Sequence, residues 1–241
     1  MAHDALLECT ALSARYGRIA VCRDMNFTLN RGEVLAVLGP NGAGKTSMLG
    51  SVSGIVSGEG SVRLLGQEIN QLPADRRAKL GLRLVPEGRG LFPDLTVREN
   101  LRLGARLAAA DQRERLIERA VTLFPVLGDR WAQQAGSMSG GEQQMLAVGK
   151  AIAGDPSVLM LDEPTQGLAP GVFDILRQAI LALRDDGLGI VLVEQRHAFA
   201  RSLSDRTAVL VGGRVVYESA SGEDIDRDEL MRLYAETAAA V

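Results

Sequence analysis

Gly39-Pro40-Asn41-Gly42-Ala43-Gly44-Lys45-Thr46 decides how this chain is read. The eight residues satisfy G-x-x-x-x-G-K-[ST]. They follow the apolar run Val34-Leu35-Ala36-Val37-Leu38 and precede a stretch able to start a helix. Strand, glycine-rich loop and helix in that order form a phosphate cradle. Glycine reaches dihedrals that other residues avoid, so the backbone can wrap closely around an anion. Its N–H groups and the helix N-terminus then point at the phosphates. The expected nucleotide contacts are Gly39, Pro40, Asn41, Gly42, Ala43, Gly44, Lys45, Thr46 and the following Ser47. Lys45 is expected at the β- and γ-phosphates, and the Thr46 hydroxyl on Mg²⁺. The implied ligand is a nucleoside triphosphate.

Bulk properties narrow the class. With 241 residues the chain can bury a full core. A formal net charge of −3 argues against a nucleic-acid partner, which needs a dense basic surface. The two cysteines, Cys9 and Cys22, lie in short apolar stretches without metal-ligand spacing, so buried thiols are expected. No apolar run approaches the length of a membrane span. Met1 to Thr10 contains His3, Asp4 and Glu8, unlike a signal peptide. Any membrane contact is therefore expected through another polypeptide.

The N-terminal part reads as short strands: Leu6 to Cys9, Arg23 to Leu29, the strand before the loop, and Gly60 to Leu65. Val158 to Leu161 and Ile190 to Val193 are nearly all apolar, the mark of parallel strands covered on both faces. Gly171 to Arg184 between them has helical period, giving a βαβ unit and a doubly wound sheet. Thr207 to Val211 and Val215 to Glu218 flank Gly212-Gly213 as a hairpin, and Asp226 to Thr237 reads as a terminal helix. From about Gly88 to Gly154 the composition turns to Ala, Leu, Arg and Glu. Thr96-Val97-Arg98-Glu99 is a capping box, and Asp111 to Leu123 continues the helical pattern. The expected class is an α/β P-loop NTPase core (residues 1–87 and 155–241) carrying a β lobe, with a helical lobe inserted at 88–154.

Val158-Leu159-Met160-Leu161-Asp162-Glu163 is a strand ending in two acids. A parallel strand delivers its carboxyl end to the ligand crevice. Asp162 is placed to hold Mg²⁺ and Glu163 to orient or deprotonate water. Ser139-Gly140-Gly141-Glu142 makes an S-x-x-E capping box opening a helix to about Ala153. The cap explains Ser139 and Glu142 but not two glycines in a first turn, each costing about 1 kcal/mol against Ala. Close approach to an anion at the helix N-terminus accounts for them.

Met138-Ser139-Gly140-Gly141-Glu142-Gln143-Gln144 resembles the signature motif of ABC-transporter ATPases. The resemblance runs over nearly the whole chain. It implies a RecA-like core with an antiparallel β lobe and an inserted helical lobe. It also implies two ATPase subunits sandwiching two ATP molecules, the P-loop of one facing the signature of the other. Tyr16 matches the aromatic that stacks on adenine. Gly167-Leu168-Ala169-Pro170 matches the loop that crosses the subunit interface, with Ala169 where many members carry Asp. Glu87 stands where most members carry Gln, at a position that senses metal and γ-phosphate. Gln195 stands where most carry a switch histidine, and His197 lies two residues on. A Glu87 carboxylate 4 Å from a phosphate would be repelled by roughly 4 kcal/mol at an effective dielectric of 20, so it belongs on the metal, protonated, or swung away.

Val85-Pro86-Glu87-Gly88-Arg89, Leu91-Phe92-Pro93 and Val193-Glu194-Gln195 together are similar to the smaller ATPase of bacterial branched-chain amino-acid importers. Relatives with similar motifs import urea, short amides or aromatic acids. The resemblance implies a second ATPase subunit, two membrane permease subunits and a periplasmic solute-binding protein. It places the chain peripherally on the cytoplasmic face of the inner membrane. Lys45, Glu163 and Gln195 are the catalytic expectations, Thr46, Asp162 and Glu87 the metal ligands. The alternative is a subunit whose own site is weak, holding ATP while a partner turns over.

Overall fold

The computed structural model describes residues 5–220, 223 and 225–238. His3 and Asp4, and the outermost residues of the expected core (1–4 and 239–241), lie outside them. β1 (Ala5–Tyr16) and β2 (Ile19–Asn30) form an antiparallel hairpin of two 12-residue strands. This corrects the expectation of short strands. Register shifts between Cys9 and Leu12 and between Leu12 and Ala14 mark bulges, and Ala11 has φ 49°. Bulges interrupt the alternation that identifies a strand without ending it.

β3 (Val34–Leu38) is buried at all five positions and runs through the P-loop into α1 (Lys45–Ser53). β4 (Ser57–Leu64) returns to pair with β1, and β5 (Gln67–Glu68) pairs with β4. The first sheet is therefore antiparallel, in the order β2-β1-β4-β5. α2 (Ala74–Lys79) leads into β6 (Leu82–Val85). Four helices follow: α3 (Val97–Ala105), α4 (Arg113–Leu123), α5 (Val126–Asp129) and α6 (Gly140–Ile152). The chain then alternates through β7 (Val158–Asp162), α7 (Pro170–Asp185), β8 (Gly189–Glu194) and α8 (His197–Arg201). It ends with the hairpin β9 (Arg206–Val211) and β10 (Arg214–Glu218) and with α9 (Arg227–Ala238).

The second sheet has the order β10-β9-β3-β8-β7-β6, parallel except for β10. Its two faces are filled by alternate residues, as the pleat requires. Leu159, Leu161, Ile190 and Leu192 join a core with Leu101, Phe124 and Leu146 of the helices. Val158, Met160, Val191 and Val193 meet Met48 and Leu49 of α1 and Leu7 and Leu29 of the hairpin. The helical stretch shares one apolar core with the sheet.

Register positions the site. Leu38 at the end of β3 pairs with Glu194, and Asp162 at the end of β7 pairs with Val193. β8 lies between β3 and β7, so three strand ends meet at one edge: the P-loop after Leu38, Glu163 after Asp162, and Gln195 after Glu194. Among the described residues no helix is long and apolar enough to cross a membrane.

Candidate functional site

The P-loop is held by close backbone contact. A Cβ on Gly39 would lie 2.3 Å from the Leu210 carbonyl oxygen. Gly44, at φ 103°, is the residue before α1 and gives that helix no side-chain cap. The first N–H groups of a helix have no carbonyl partner within it. Here no side chain takes that place, and Gly44 to Ser47 line the cleft. Cys22 lies beneath the loop, its Sγ 3.1 Å from the Gly44 carbonyl oxygen. Cys9 and Cys22 are both free and buried, and burial raises both thiols well above their usual range.

Lys45 is 4% exposed and donates to the carbonyls of Gly39 (2.8 Å) and Pro40 (3.0 Å). It also pairs with Glu163, Nζ to Oε1 at 3.3 Å. The other carboxylate oxygen of Glu163 accepts from Gln195 Nε2 at 2.5 Å, and Gln195 donates again to Asn41 Oδ1 at 2.6 Å. Glu163 thus meets Lys45 on one side and Gln195 on the other. Its φ of 46° is one that side chains rarely adopt, a strain typical of functional positions.

The cleft beside the loop encloses about 230 Å³ and is lined by Asn41 to Ser47 together with Val21, Glu87, Glu163 and Gln166. Val21 and Gln166 were missed by sequence reasoning. Gln166 was within reach of it, three residues past Glu163. Asp162 is 2% exposed, and its Oδ1 has no hydrogen-bond partner. Burial first, then the negative charges of Glu163 and Glu87, lift its pKa to about 6, against the pull of the Thr46 hydroxyl and Lys45. An orphaned carboxylate oxygen beside a hydroxyl is a hard-oxygen donor set that fits Mg²⁺. Among the described residues no three acids, histidines or cysteines converge on a metal cage. Mg²⁺ needs none, since it is held by one or two carboxylates, phosphates and water.

The other expected contacts lie elsewhere. Tyr16 is 53% exposed at the end of β1 and does not line the cleft. Ser139 is exposed ahead of α6, where Glu142 accepts from the Ser139 amide at 2.8 Å and Ser139 Oγ accepts from the Glu142 amide at 3.3 Å. Arg130 Nε lies 3.3 Å from Glu142. The Glu142 carboxylate is therefore engaged within its own chain. Gly141 also has a cause sequence reasoning missed: a Cβ there would come within 2.6 Å of Val172 Cγ2 on α7. Anion approach is not needed to explain that glycine. His197, two residues beyond Gln195, has its Nε2 2.8 Å from the Ile225 carbonyl oxygen.

A P-loop between a buried parallel strand and a helix, with two acids at the end of the strand next but one, defines a nucleotide-hydrolysing P-loop fold. Residues 22–166 match the ABC transporter family, and the chain belongs to that family: it is an ATP-binding, ATP-hydrolysing transporter subunit. It is 40% identical over 212 residues to the high-affinity branched-chain amino acid transport ATP-binding protein BraG of Pseudomonas aeruginosa, covering 88% of this chain and 91% of that one. It is 37% identical over 230 residues to the probable branched-chain amino acid transport ATP-binding protein LivF of Archaeoglobus fulgidus, covering 95% and 98%. A solved ATP-binding subunit of an ABC transporter superposes with TM-score 0.82 at 27% identity, covering 97% of this chain and 99% of that one.

Proposed function

We propose that this chain powers an importer for branched-chain amino acids or a related small polar solute. It works on the cytoplasmic face of the inner membrane with two permease subunits and a periplasmic solute-binding protein. Similarity to the Pseudomonas and Archaeoglobus proteins supports the cargo. This chain and a second ATPase subunit, identical or different, clamp ATP between the P-loop of one and Ser139, Gly140, Gly141 and Glu142 of the other. One observation carries the clamp. The cleft of about 230 Å³ is smaller than a usual ligand pocket of about 300–1,000 Å³, and none of those four residues lines it. Ser139 is exposed and Gly140, Gly141 and Glu142 are half-buried, so the start of this helix is free to face another molecule.

Lys45 and the P-loop amides, from Asn41 to Ser47, hold the phosphates, and Tyr16 stacks on the base. Thr46, Asp162 and Glu87 hold Mg²⁺, which when bound offsets phosphate charge. Glu163, released from Lys45 by the nucleotide, takes a proton from the attacking water, and Gln195 steadies it with an uncharged amide. Charge stabilisation and positioning carry this chemistry.

Residues 88–154 act as a lobe that passes closure to the permease. The loop from Glu87 to Pro93 is tied to it. Arg89 donates to Gln143 at 2.6 Å, Lys150 to the Gly90 carbonyl at 2.6 Å, and buried Asn100 bonds both backbone groups of Phe92 at 3.0 Å. The test is Glu163→Gln. It keeps ATP binding, lowers hydrolysis about 10²–10⁴-fold, and accumulates an ATP-dependent dimer in size-exclusion chromatography. Hydrolysis at the wild-type rate removes the role given to Glu163.

The grip of Lys45 and Gln195 on Glu163 favours a second reading, a site that holds ATP while the partner turns over. Hydrolysis by a complex whose only intact P-loop lysine is Lys45 rejects it.

A further inference from the structure

Glu194 is 2% exposed at the end of β8, between two strands that carry other functional candidates. Its Oε1 accepts from the Thr165 amide at 3.0 Å and from Thr165 Oγ1 at 2.7 Å. Its Oε2 accepts from the amides of Gln195 at 3.2 Å and Arg196 at 3.4 Å. Thr165 is fully buried and lies two residues beyond Glu163. One carboxylate therefore binds the loop that bears Glu163 and the loop that bears Gln195. All four donors are uncharged.

A buried carboxylate costs several kcal/mol unless its hydrogen bonds are complete. Burial raises its pKa, and the four donors oppose that rise. Packing alone would be served by an apolar residue continuing Ile190-Val191-Leu192-Val193. What only a carboxylate supplies is acceptors on both oxygens, one for each loop. An amide has a single acceptor oxygen and would turn its NH₂ against the N–H groups of one loop. The loop it holds is also the strained one, with Glu163 at φ 46°.

We propose that Glu194 is a positioning residue for ATP hydrolysis: it fixes Glu163 and Gln195 relative to each other by bracing both loops through its two carboxylate oxygens. The inference rests on the catalytic reading of Glu163 and extends it to a buried residue that does not line the cleft. A loosened brace displaces Glu163 while leaving the P-loop intact, so kcat falls and nucleotide affinity stays.

The experiment compares Glu194→Gln and Thr165→Val with wild type, measuring kcat, KM for ATP, binding of a fluorescent ADP analogue, and melting temperature. Glu194→Gln is expected to lower kcat about 10- to 100-fold, the scale of a misplacement near 1 Å. KM and ADP affinity stay within about twofold, as expected where uniform binding is untouched. Thr165→Val is nearly isosteric and keeps its backbone bond, so it folds. It lowers kcat by several-fold, and its effect is expected to be non-additive with Glu194→Gln, because both loosen the contacts of one side chain with the same pair of loops. Wild-type kcat per folded molecule in both variants overturns the brace, as does a loss confined to KM and ADP affinity. If Glu163→Gln is blocked while these variants are not, only this inference fails. If Glu163→Gln also turns over normally, the catalytic reading fails first.

Discussion

Two helices in this chain start with glycines, and they start in opposite ways. α1 opens from Gly44 with no side-chain cap, leaving its first amides bare. α6 opens from Ser139 with a complete capping box, and Arg130 sits beside its Glu142. The acids differ likewise. Asp162 at the P-loop edge has an orphaned oxygen, whereas Glu142 has partners on both. One end is unfinished until an anion and a cation arrive. The other is complete as a piece of protein and presents an edge. The shared site proposed above would use one of each.

Removing the cation at each end gives the largest expected contrast. Lys45→Ala strips the open end of its buried cation and lowers ATP turnover about 10²–10³-fold, with weakened ATP binding by calorimetry. Arg130→Ala at the closed end removes a half-exposed ion pair and changes stability by less than about 1 kcal/mol by thermal melting. An equal loss from both erases the distinction.

The acids give a smaller contrast, with opposite signs. Asp162 has a folded pKa raised from 3.8 to about 6, so the folded state binds the extra proton between those values. Stability then falls as pH rises through that window and stays low above it. Asp162→Asn is expected to stabilise the nucleotide-free protein at pH 7 by up to about 3 kcal/mol, the gain disappearing below about pH 4. Glu142 has its pKa lowered by the Ser139 bonds, so its contribution is present above its unfolded value and lost on acidification. Glu142→Gln lowers the melting temperature at pH 7, and its difference from wild type also vanishes in acid. A stabilising Glu142→Gln or a destabilising Asp162→Asn breaks the comparison.

Most of the fold and much of the candidate site were legible because their signals are local. The P-loop is contiguous, the strand bearing Asp162 and Glu163 ends where its apolar run ends, and Ser139 with Glu142 is a cap readable at i and i+3. The 12-residue hairpin strands were not legible, because bulges around Ala11 break the alternation. Neither was Glu194, whose partner Thr165 lies 29 residues away. Only the β7–β8 pairing brings the two together, and a single acid at a strand end looks solvated until that pairing is known. The held state of Glu163 was also invisible, since Lys45 and Asn41 come from the loop after β3 and Gln195 from the end of β8, and only the sheet register brings them to Glu163 after β7. What local chemistry announced was the parts; the register supplied their contacts.

The two signature glycines divide the same question on a finer scale. A Cβ on Gly141 would meet Val172 Cγ2 at 2.6 Å, while one on Gly140 would lie 3.2 Å from Arg89 Nη2, at the end of a long side chain, and 3.8 Å from Leu168 Cδ2. Overpacking of this kind costs about 1–3 kcal/mol. Gly141→Ala is therefore expected to lower the melting temperature, and Val172→Ala in the same chain to restore both melting temperature and ATPase. Gly140→Ala asks only a small shift of the Arg89 side chain, so it is expected to leave stability near wild type. Its ATPase falls only if the backbone there approaches a nucleotide on the partner. A Gly141→Ala, Val172→Ala protein that is stable yet inactive transfers the nucleotide role to Gly141 and makes its packing against α7 incidental. A Gly140→Ala protein with full activity leaves the closed end without a glycine that serves the ligand.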